Sequence, residues 1–373
     1  MLKIAFILQA FYGDHIGGAE RQVQMLAEAL REDNWETAYI CERTSDKPAH
    51  ERVAGMQVFA LPMRKKRSAW KNKRLLCRAM DESRADIFYQ RIRHPYTGLG
   101  AAHAKKLGKP FIFAAASKAD VVRDKDLRQK SQSNSIQDSL FRPLNRHLED
   151  EGILTASARI LQTSEQLELL KRHYRCSGVI IPNHVVIRDD LARQQEGPLQ
   201  VIWISNIKAF KRPELFIQLA ENCADIDAEF IMIGSCVSPQ ILKDIKEAED
   251  RIEKFSYIGP MDPVEAEKRI SQASVLVNTS EFEGFPNAFQ QAWIYGVPTV
   301  SLGVDPDGVI SREKLGSCVS SLKDMENEVR CLLNDASLRS EIGDKAQKFS
   351  RQEYDIKQLL PKYLALFHDL LKQ

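Results

Sequence analysis

The chain of 373 residues carries 53 Lys and Arg against 51 Asp and Glu, a formal net charge of +2, and 43% hydrophobic residues. Its length suits two domains of roughly 180 residues better than a single core, and the near-balance of charge lacks the basic excess on which generic nucleic-acid binding rests. Seven scattered cysteines, with no C-x-x-C pair and no histidine at zinc-ligand spacing, read as small buried residues of a reducing, cytoplasmic compartment.

Ile4 to Leu8 is a continuous apolar run, the mark of a strand buried on both faces. It runs into Gly13-Asp14 without a small-residue cleavage site, so it reads as a first strand and not as a signal peptide. No apolar run reaches the roughly 20 residues of a membrane-spanning helix. A helical pattern starts near Ala19, and further strands are expected at Thr37 to Cys41, Val58 to Leu61, Ile87 to Tyr89, Phe111 to Ala115 and Ile160 to Thr163, with helices between most of them. Such alternation predicts an α/β fold with a parallel sheet flanked by helices.

The text turns polar over 188–198, where a linker is expected. A second alternating half then opens, with strands at Leu199 to Ser205, Phe230 to Ile233, Phe255 to Ile258, Val275 to Asn278 and Thr299 to Leu302. Its helices are expected to start near Pro213, Pro239, Pro263 and Asn287, and proline in the first turn fits the first three. After Leu332 the pattern is helical to the end. The expected division is a first domain over 1–187, a second over 199–350, and a closing helix in 351–373 that packs back on the first domain.

Three stretches carry candidate chemistry. Gly13-Asp14-His15-Ile16-Gly17-Gly18 lies between the first strand and first helix, where paired glycines allow close backbone approach and helix amides favour a phosphate; a plain tight turn is the alternative. Asn206 to Pro213 follows the first strand of the second half. There Lys211 would meet a diphosphate with Lys208 and Arg212 pointing to water; a solvated basic loop is the alternative. Glu281 to Ala292, followed by Tyr295-Gly296-Val297-Pro298, sets Glu283 on a strand-to-helix turn and Gln291 about two turns into the helix. A carboxylate at such a turn suits sugar hydroxyls, accepting several hydrogen bonds at once; an exposed capping charge is the alternative.

In order and spacing these stretches resemble glycosyltransferase family 4 of the GT-B fold, which has a Gly-Gly loop after its first strand, a basic pair after the first strand of its second domain, and a Glu-x7-Glu motif reading E-G-F-P. The resemblance implies two Rossmann-like domains facing each other across a cleft, the first on the acceptor side and the second on the donor side. It implies transfer of a sugar from a nucleotide-sugar to a glycan or lipid-linked acceptor with retention of configuration, in surface polysaccharide or lipopolysaccharide synthesis, with no cofactor and no metal. By the same resemblance Gly17 and Gly18 would approach the diphosphate and Lys211 would neutralise it. Glu283 would hold the transferred sugar, Gly284, Phe285, Pro286 and Asn287 would offer amides, and Gly259-Pro260 would meet the base.

Three positions depart from that pattern. Gln291 stands where a second glutamate takes the ribose diol, Asn206 stands where an arginine precedes the lysine by five residues, and no histidine follows the strand at Phe111 to Ala115. His15, Arg91, His94 and Ser117 are the remaining candidates for the acceptor side. The basic stretch Arg64 to Arg74, with Trp70 inside it, is expected either to touch an anionic membrane or to be a solvated helix face. Alternative functions are a catalytically degenerate nucleotide-sugar-binding protein and an epimerase on the same fold. A nicotinamide oxidoreductase would have to use Gly98-Leu99-Gly100-Ala101-Ala102-His103, which has histidine at the third small position and lies away from the first strand-to-helix turn.

Overall fold

The computed structural model describes residues 1–14, 17–44, 46–64, 66–123, 138–188 and 197–372. The chain divides into two compact units, Met1–His184 with Ile356–Gln373, and Val185–Asp355. The expected boundary at 187 falls three residues early instead, because the amide of Val185 donates to the carbonyl of Tyr354 (2.9 Å) and Val185 bridges Asp355. Residues 189–196 of the expected linker lie outside the described residues.

In the first unit, β1 (Lys3–Ala10) is the apolar run read from sequence and pairs in parallel with β2 (Glu36–Arg43) and β5 (Ile87–Arg91). With β3 (His50–Val53), β4 (Met56–Pro62), β6 (Phe111–Ala114), β7 (Ala158–Leu161) and β8 (Val179–Ile180), the sheet order is β3-β4-β2-β1-β5-β6-β7-β8. The chain leaves β1 for one side and returns to β5 on the other, so the carboxyl ends of β1 and β5 form a topological switch point. The helices are α1 (Gly18–Glu32), α2 (Lys73–Ser83), α3 (Pro95–Lys106), α4 (Asp138–Thr155), α5 (Ser164–Tyr174) and the closing helix α13 (Ile356–Leu371). Helix α13 lays Phe367 against Trp35 (ring centroids 5.7 Å apart) and Tyr363 against His184 (5.9 Å).

The second unit contains β9 (Leu199–Ile204), β10 (Ala228–Ile233), β11 (Phe255–Gly259), β12 (Val275–Asn278), β13 (Thr299–Leu302) and β14 (Gly316–Val319), in the order β11-β10-β9-β12-β13-β14. All pairs are parallel, and the switch point lies between β9 and β12. The helices are α6 (Pro213–Asn222), α7 (Pro239–Arg251), α8 (Pro263–Gln272), α9 (Asn287–Ile294), α10 (Val309–Glu313), α11 (Leu322–Asn334) and α12 (Ala336–Glu353). Three of them start on the prolines read from sequence, and Ser238 and Asp262 cap two of those.

The sequence does not reveal β3, β8 or β14. All three sit at sheet edges, where one or both faces are open and the continuous apolar run of a central strand is missing. Strand β7 starts and ends two residues before the expected run, because Thr163 is the N-cap of α5 and accepts the amide of Gln166 (3.1 Å). The C-terminal helical stretch comprises α11, α12 and the closing α13. Asp335 caps the second of these by accepting the amide of Leu338 (2.9 Å).

Gly98 and Gly152 let α3 and α4 touch backbone to backbone. A Cβ on Gly98 would stand 2.0 Å from the carbonyl oxygen of Leu148, and one on Gly152 would stand 2.3 Å from the carbonyl carbon of Thr97. The Gly98-Leu99-Gly100 string thus serves helix packing and not a dinucleotide. Gly98→Ala is expected to cost about 3 kcal/mol, the upper end of overpacking, because the obstructing atoms are main chain; urea denaturation measures it.

His184 ends the first unit's main segment. Its amide and carbonyl bond the Gln22 side chain (3.0 and 2.8 Å), and its Nε2 lies 3.0 Å from the carbonyl of Gln22, while Nδ1 has no partner among the described residues. Burial, and then the nearby Arg91 cation, push its pKa down from 6.5 to about 3. The imidazole is therefore neutral in the fold, whereas the unfolded chain takes up a proton as the pH falls below 6.5. Between pH 6 and 4 this group alone should remove about 1.4 kcal/mol of stability per pH unit. His184→Gln should flatten the measured slope by one proton; an unchanged slope would contradict a neutral buried ring.

Candidate active site

Lys211 and Glu283 meet at the switch point of the second sheet. Lys211 comes from the turn after β9, a short 3-10 stretch over Ala209–Lys211, and Glu283 from the turn after β12. The ammonium Nζ donates to Glu283 Oε1, and both side chains are only 14% exposed. Ser280, fully buried, donates its hydroxyl to the same Oε1 (2.7 Å) and is itself held by Asn278 Nδ2 (3.2 Å). Oε2 receives neither of these bonds, which leaves it available to a ligand hydroxyl.

The two turns are locked together by further contacts. The amide of Glu281 donates to the carbonyl of Phe210 (2.8 Å), and the rings of Phe210 and Phe282 stack at 4.8 Å. Thr279 accepts from the indole Nε1 of buried Trp203 (3.0 Å), and its own hydroxyl hydrogen serves the carbonyls of Lys211 and Arg212, 2.8 and 2.9 Å away. Arg212 does not point to water as the sequence suggested. Its guanidinium turns inward onto the carbonyls of Thr279 (2.5 Å), Ser280 (3.0 Å) and Leu302 (3.3 Å). Lys208 is exposed, as expected.

The neighbouring candidates lie on the same carboxyl edge. Gly284, Phe285 and Pro286 are buried, and Pro286 is the N-cap of α9 with no side chain capping that helix. Asn287 begins α9 and Gln291, half-buried, follows one turn further in. Asn206 is exposed and accepts the Ser235 hydroxyl on Oδ1 (3.0 Å), so a neutral amide occupies the place of a second cation. Gly259 ends β11 at φ +83°, with open space where a side chain would project, and Pro260 beside it is exposed.

At the first unit's switch point Gly17 is the extended N-cap of α1, which no side chain caps, and Gly18 is exposed. The loop ahead of it is tied down by Arg43, a residue the sequence gave no reason to select. Its Nε and Nη2 take both oxygens of Asp14 (2.6 and 3.0 Å), it also bonds Glu51, and its guanidinium sits 5.0 Å from the Phe11 ring centroid. The hydrogen bond from Arg43 holds the Asp14 carboxyl below its ordinary range.

Of the acceptor-side candidates, His15 lies outside the described residues. Arg91 and His94, the next two candidates, are buried. Arg91 Nη2 donates to Asn183 Oδ1 (2.6 Å), and His94 is the N-cap of α3, its ring accepting the Tyr96 amide (3.4 Å) while its own amide donates to Thr97 (3.1 Å). Both polar groups escape the surface because the fold supplies their hydrogen bonds. Ser117, half-buried, begins a 3-10 turn with its amide donating to Asp120 (2.9 Å).

Comparison with known proteins accounts for this arrangement. Residues 16–188 match the family described as Glycosyltransferase Family 4, and residues 198–335 match Glycosyl transferases group 1. The chain is 22% identical to the N-acetyl-alpha-D-glucosaminyl L-malate synthase of Bacillus anthracis over 241 residues, which are 60% of this chain and 61% of that enzyme. Among solved structures it resembles sucrose-phosphate synthase from Thermosynechococcus elongatus (TM-score 0.78, 16% identity, 100% of both chains). It also resembles S. aureus TarM in complex with Fondaparinux, alpha-GlcNAc-glycerol and UDP (TM-score 0.78, 13% identity, 98% of this chain and 100% of the other). With its first half matched by Glycosyltransferase Family 4 and its second by Glycosyl transferases group 1, the chain belongs to glycosyltransferase family 4.

Proposed function

We propose that the protein transfers a sugar from a nucleotide-sugar to a glycan or lipid-linked acceptor with retention of configuration, in the synthesis of a surface polysaccharide or lipopolysaccharide. The observation that carries this reading is the Lys211–Glu283 pair at the switch point of the second sheet, beside the uncapped start of α9. The donor diphosphate takes Lys211 and the helix amides, while Glu283, kept in place by Ser280, turns its free oxygen to the sugar hydroxyls. The bond from the anomeric carbon to the diphosphate oxygen breaks, and negative charge gathers on the leaving group beside Lys211. The acceptor hydroxyl attacks the same face and passes its proton to an oxygen of the departing diphosphate. These residues supply the charge stabilisation without a metal. Since the TarM structure carries UDP, UDP-sugars are the donors to try first.

Lys211→Ala is expected to lose about 10²- to 10³-fold in turnover, the usual effect of removing one preorganised charge donor. A coupled assay for nucleoside diphosphate release measures it, after a thermal-shift screen of UDP-, GDP-, ADP- and TDP-sugars has identified the donor. Near-normal turnover of the variant would remove Lys211 from this role. Donor binding without release in the native protein would make it a degenerate binding protein, with Asn206 and Gln291 as the residues to restore.

We also propose peripheral contact with an anionic membrane from the cytoplasmic side. Lys71, Lys73 and Arg74 are exposed around the start of α2, with Met63 (63%) and Leu75 (43%) exposed among them, while Lys65 of this stretch lies outside the described residues. No helix among the described residues is long and apolar enough to cross a membrane. Three cations near a charged bilayer contribute about 3 kcal/mol, roughly 10²-fold in partitioning. Sedimentation with phosphatidylserine vesicles at low salt should be lost when all three become glutamate, and failure of the native protein to sediment would end this reading.

A further inference from the structure

Arg212 adopts a left-handed backbone, φ +50° and ψ +55°, a conformation that costs a residue with a side chain of this size some strain. It is at once the last residue of the Lys211 turn and the N-cap position of α6. Glycine would take this backbone without strain. What arginine adds is a planar fork, and its guanidinium bonds go to main-chain carbonyls at the ends of two strands: Thr279 and Ser280 after β12, and Leu302 at the end of β13. The same turn receives the Thr279 hydroxyl on its own carbonyls. Arg212 therefore ties the segment that carries Lys211 to the segment that carries Ser280 and Glu283.

We propose that Arg212 is a positioning residue for the donor site, fixing the separation and orientation of Lys211 and Glu283 without touching the substrate. The inference rests on the functional reading above. Lys211 and Glu283 attract each other in the empty site, so when a diphosphate draws the ammonium away the pair no longer holds the two turns together. The bonds that survive are those of Arg212, Thr279 and Glu281, and of these only Arg212 reaches β13 as well as β12. A charged donor on a neutral carbonyl is about twice as strong as a neutral pair, which suits a tie that has to hold while the pair between the turns opens. Lysine in its place has one nitrogen at the end of a flexible chain and cannot span three carbonyls in fixed geometry.

The test compares Arg212→Gly, Arg212→Lys and Lys211→Ala with the native chain, measuring thermal unfolding, donor affinity by calorimetry, and kcat and KM for nucleoside diphosphate release. Arg212→Gly relieves the backbone strain and deletes the fork. Its kcat is expected to fall roughly 10- to 100-fold with KM for the donor changed less, in protein whose unfolding midpoint stays within a few degrees of native. Arg212→Lys should recover little of the lost kcat. A purely structural role predicts the opposite split, a lower unfolding midpoint with kcat per folded molecule unchanged, and that result overturns the proposal. If the native chain and Lys211→Ala behave alike, the functional reading has failed; if Lys211→Ala is impaired and Arg212→Gly is not, only the positioning role has.

Discussion

One ammonium and one carboxylate, 72 residues apart in the chain, hold the two turns at the centre of the second sheet against each other. Each charge is largely removed from water, so each depends on the other for compensation, and removing one would leave the second buried alone. Only a particular topology can bring them together. A parallel sheet sends all its carboxyl ends to one edge, and the order β11-β10-β9-β12-β13-β14 makes β9 and β12 neighbours whose following loops diverge to opposite sides. A crevice is left where those loops part, and Lys211 and Glu283 stand on either wall of it. The pair thus neutralises itself, and in the proposed reaction a donor would supply both an anion for Lys211 and hydroxyls for Glu283 to replace what it disrupts.

The central strands could be read from the sequence because burial on both faces forces uninterrupted apolar runs, as in Ile4 to Leu8 or Phe230 to Ile233. Proline marked three helix starts in the second unit through its fixed φ and missing amide. Edge strands β3, β8 and β14 carry no such pressure and left no trace. Within the proposed site the pair that the structure brings together, Lys211 and Glu283, could be picked out because they and the turn through Pro286 have a distinctive order and spacing. The residues that hold them in place could not. Thr279, Trp203 and Arg212 act through contacts across many tens of residues, Ser280 through a bond to Glu283 three residues on, and none of these residue types has a local signature of what it will meet.

Arginine was misread for a related reason. The sequence shows a positive charge, and Arg212 was expected to point to water, yet it turns inward, as Arg43, Arg91 and Arg93 do. Five donors in a plane can satisfy strand-end carbonyls or a carboxylate while the aliphatic stem packs, so a loop at the end of a parallel strand is a favourable place to bury one. Arg93 takes Glu149 and the carbonyl of Val122 (3.1 and 2.8 Å), and Arg43 takes both oxygens of Asp14. At both switch points guanidinium groups serve the scaffold, and at the second a lysine pairs with Glu283, where we propose the donor binds.

The two departures from the family motif in the second unit also have to be taken together. Asn206 removes a cation and Gln291 removes an anion, so the site loses one charge of each sign and its balance is kept. Loss of the arginine alone would leave two carboxylates against one ammonium, a net repulsion for an anionic donor. With both changed, the donor diphosphate of the proposed reaction would meet one full charge and a set of neutral donors, the amides at the start of α9. Neutral hydrogen bonds are weaker than charged ones but are screened far less by salt. Selectivity in such a site passes from the strength of the field to the geometry of its donors, and geometry is what the contacts around Lys211 and Glu283 constrain.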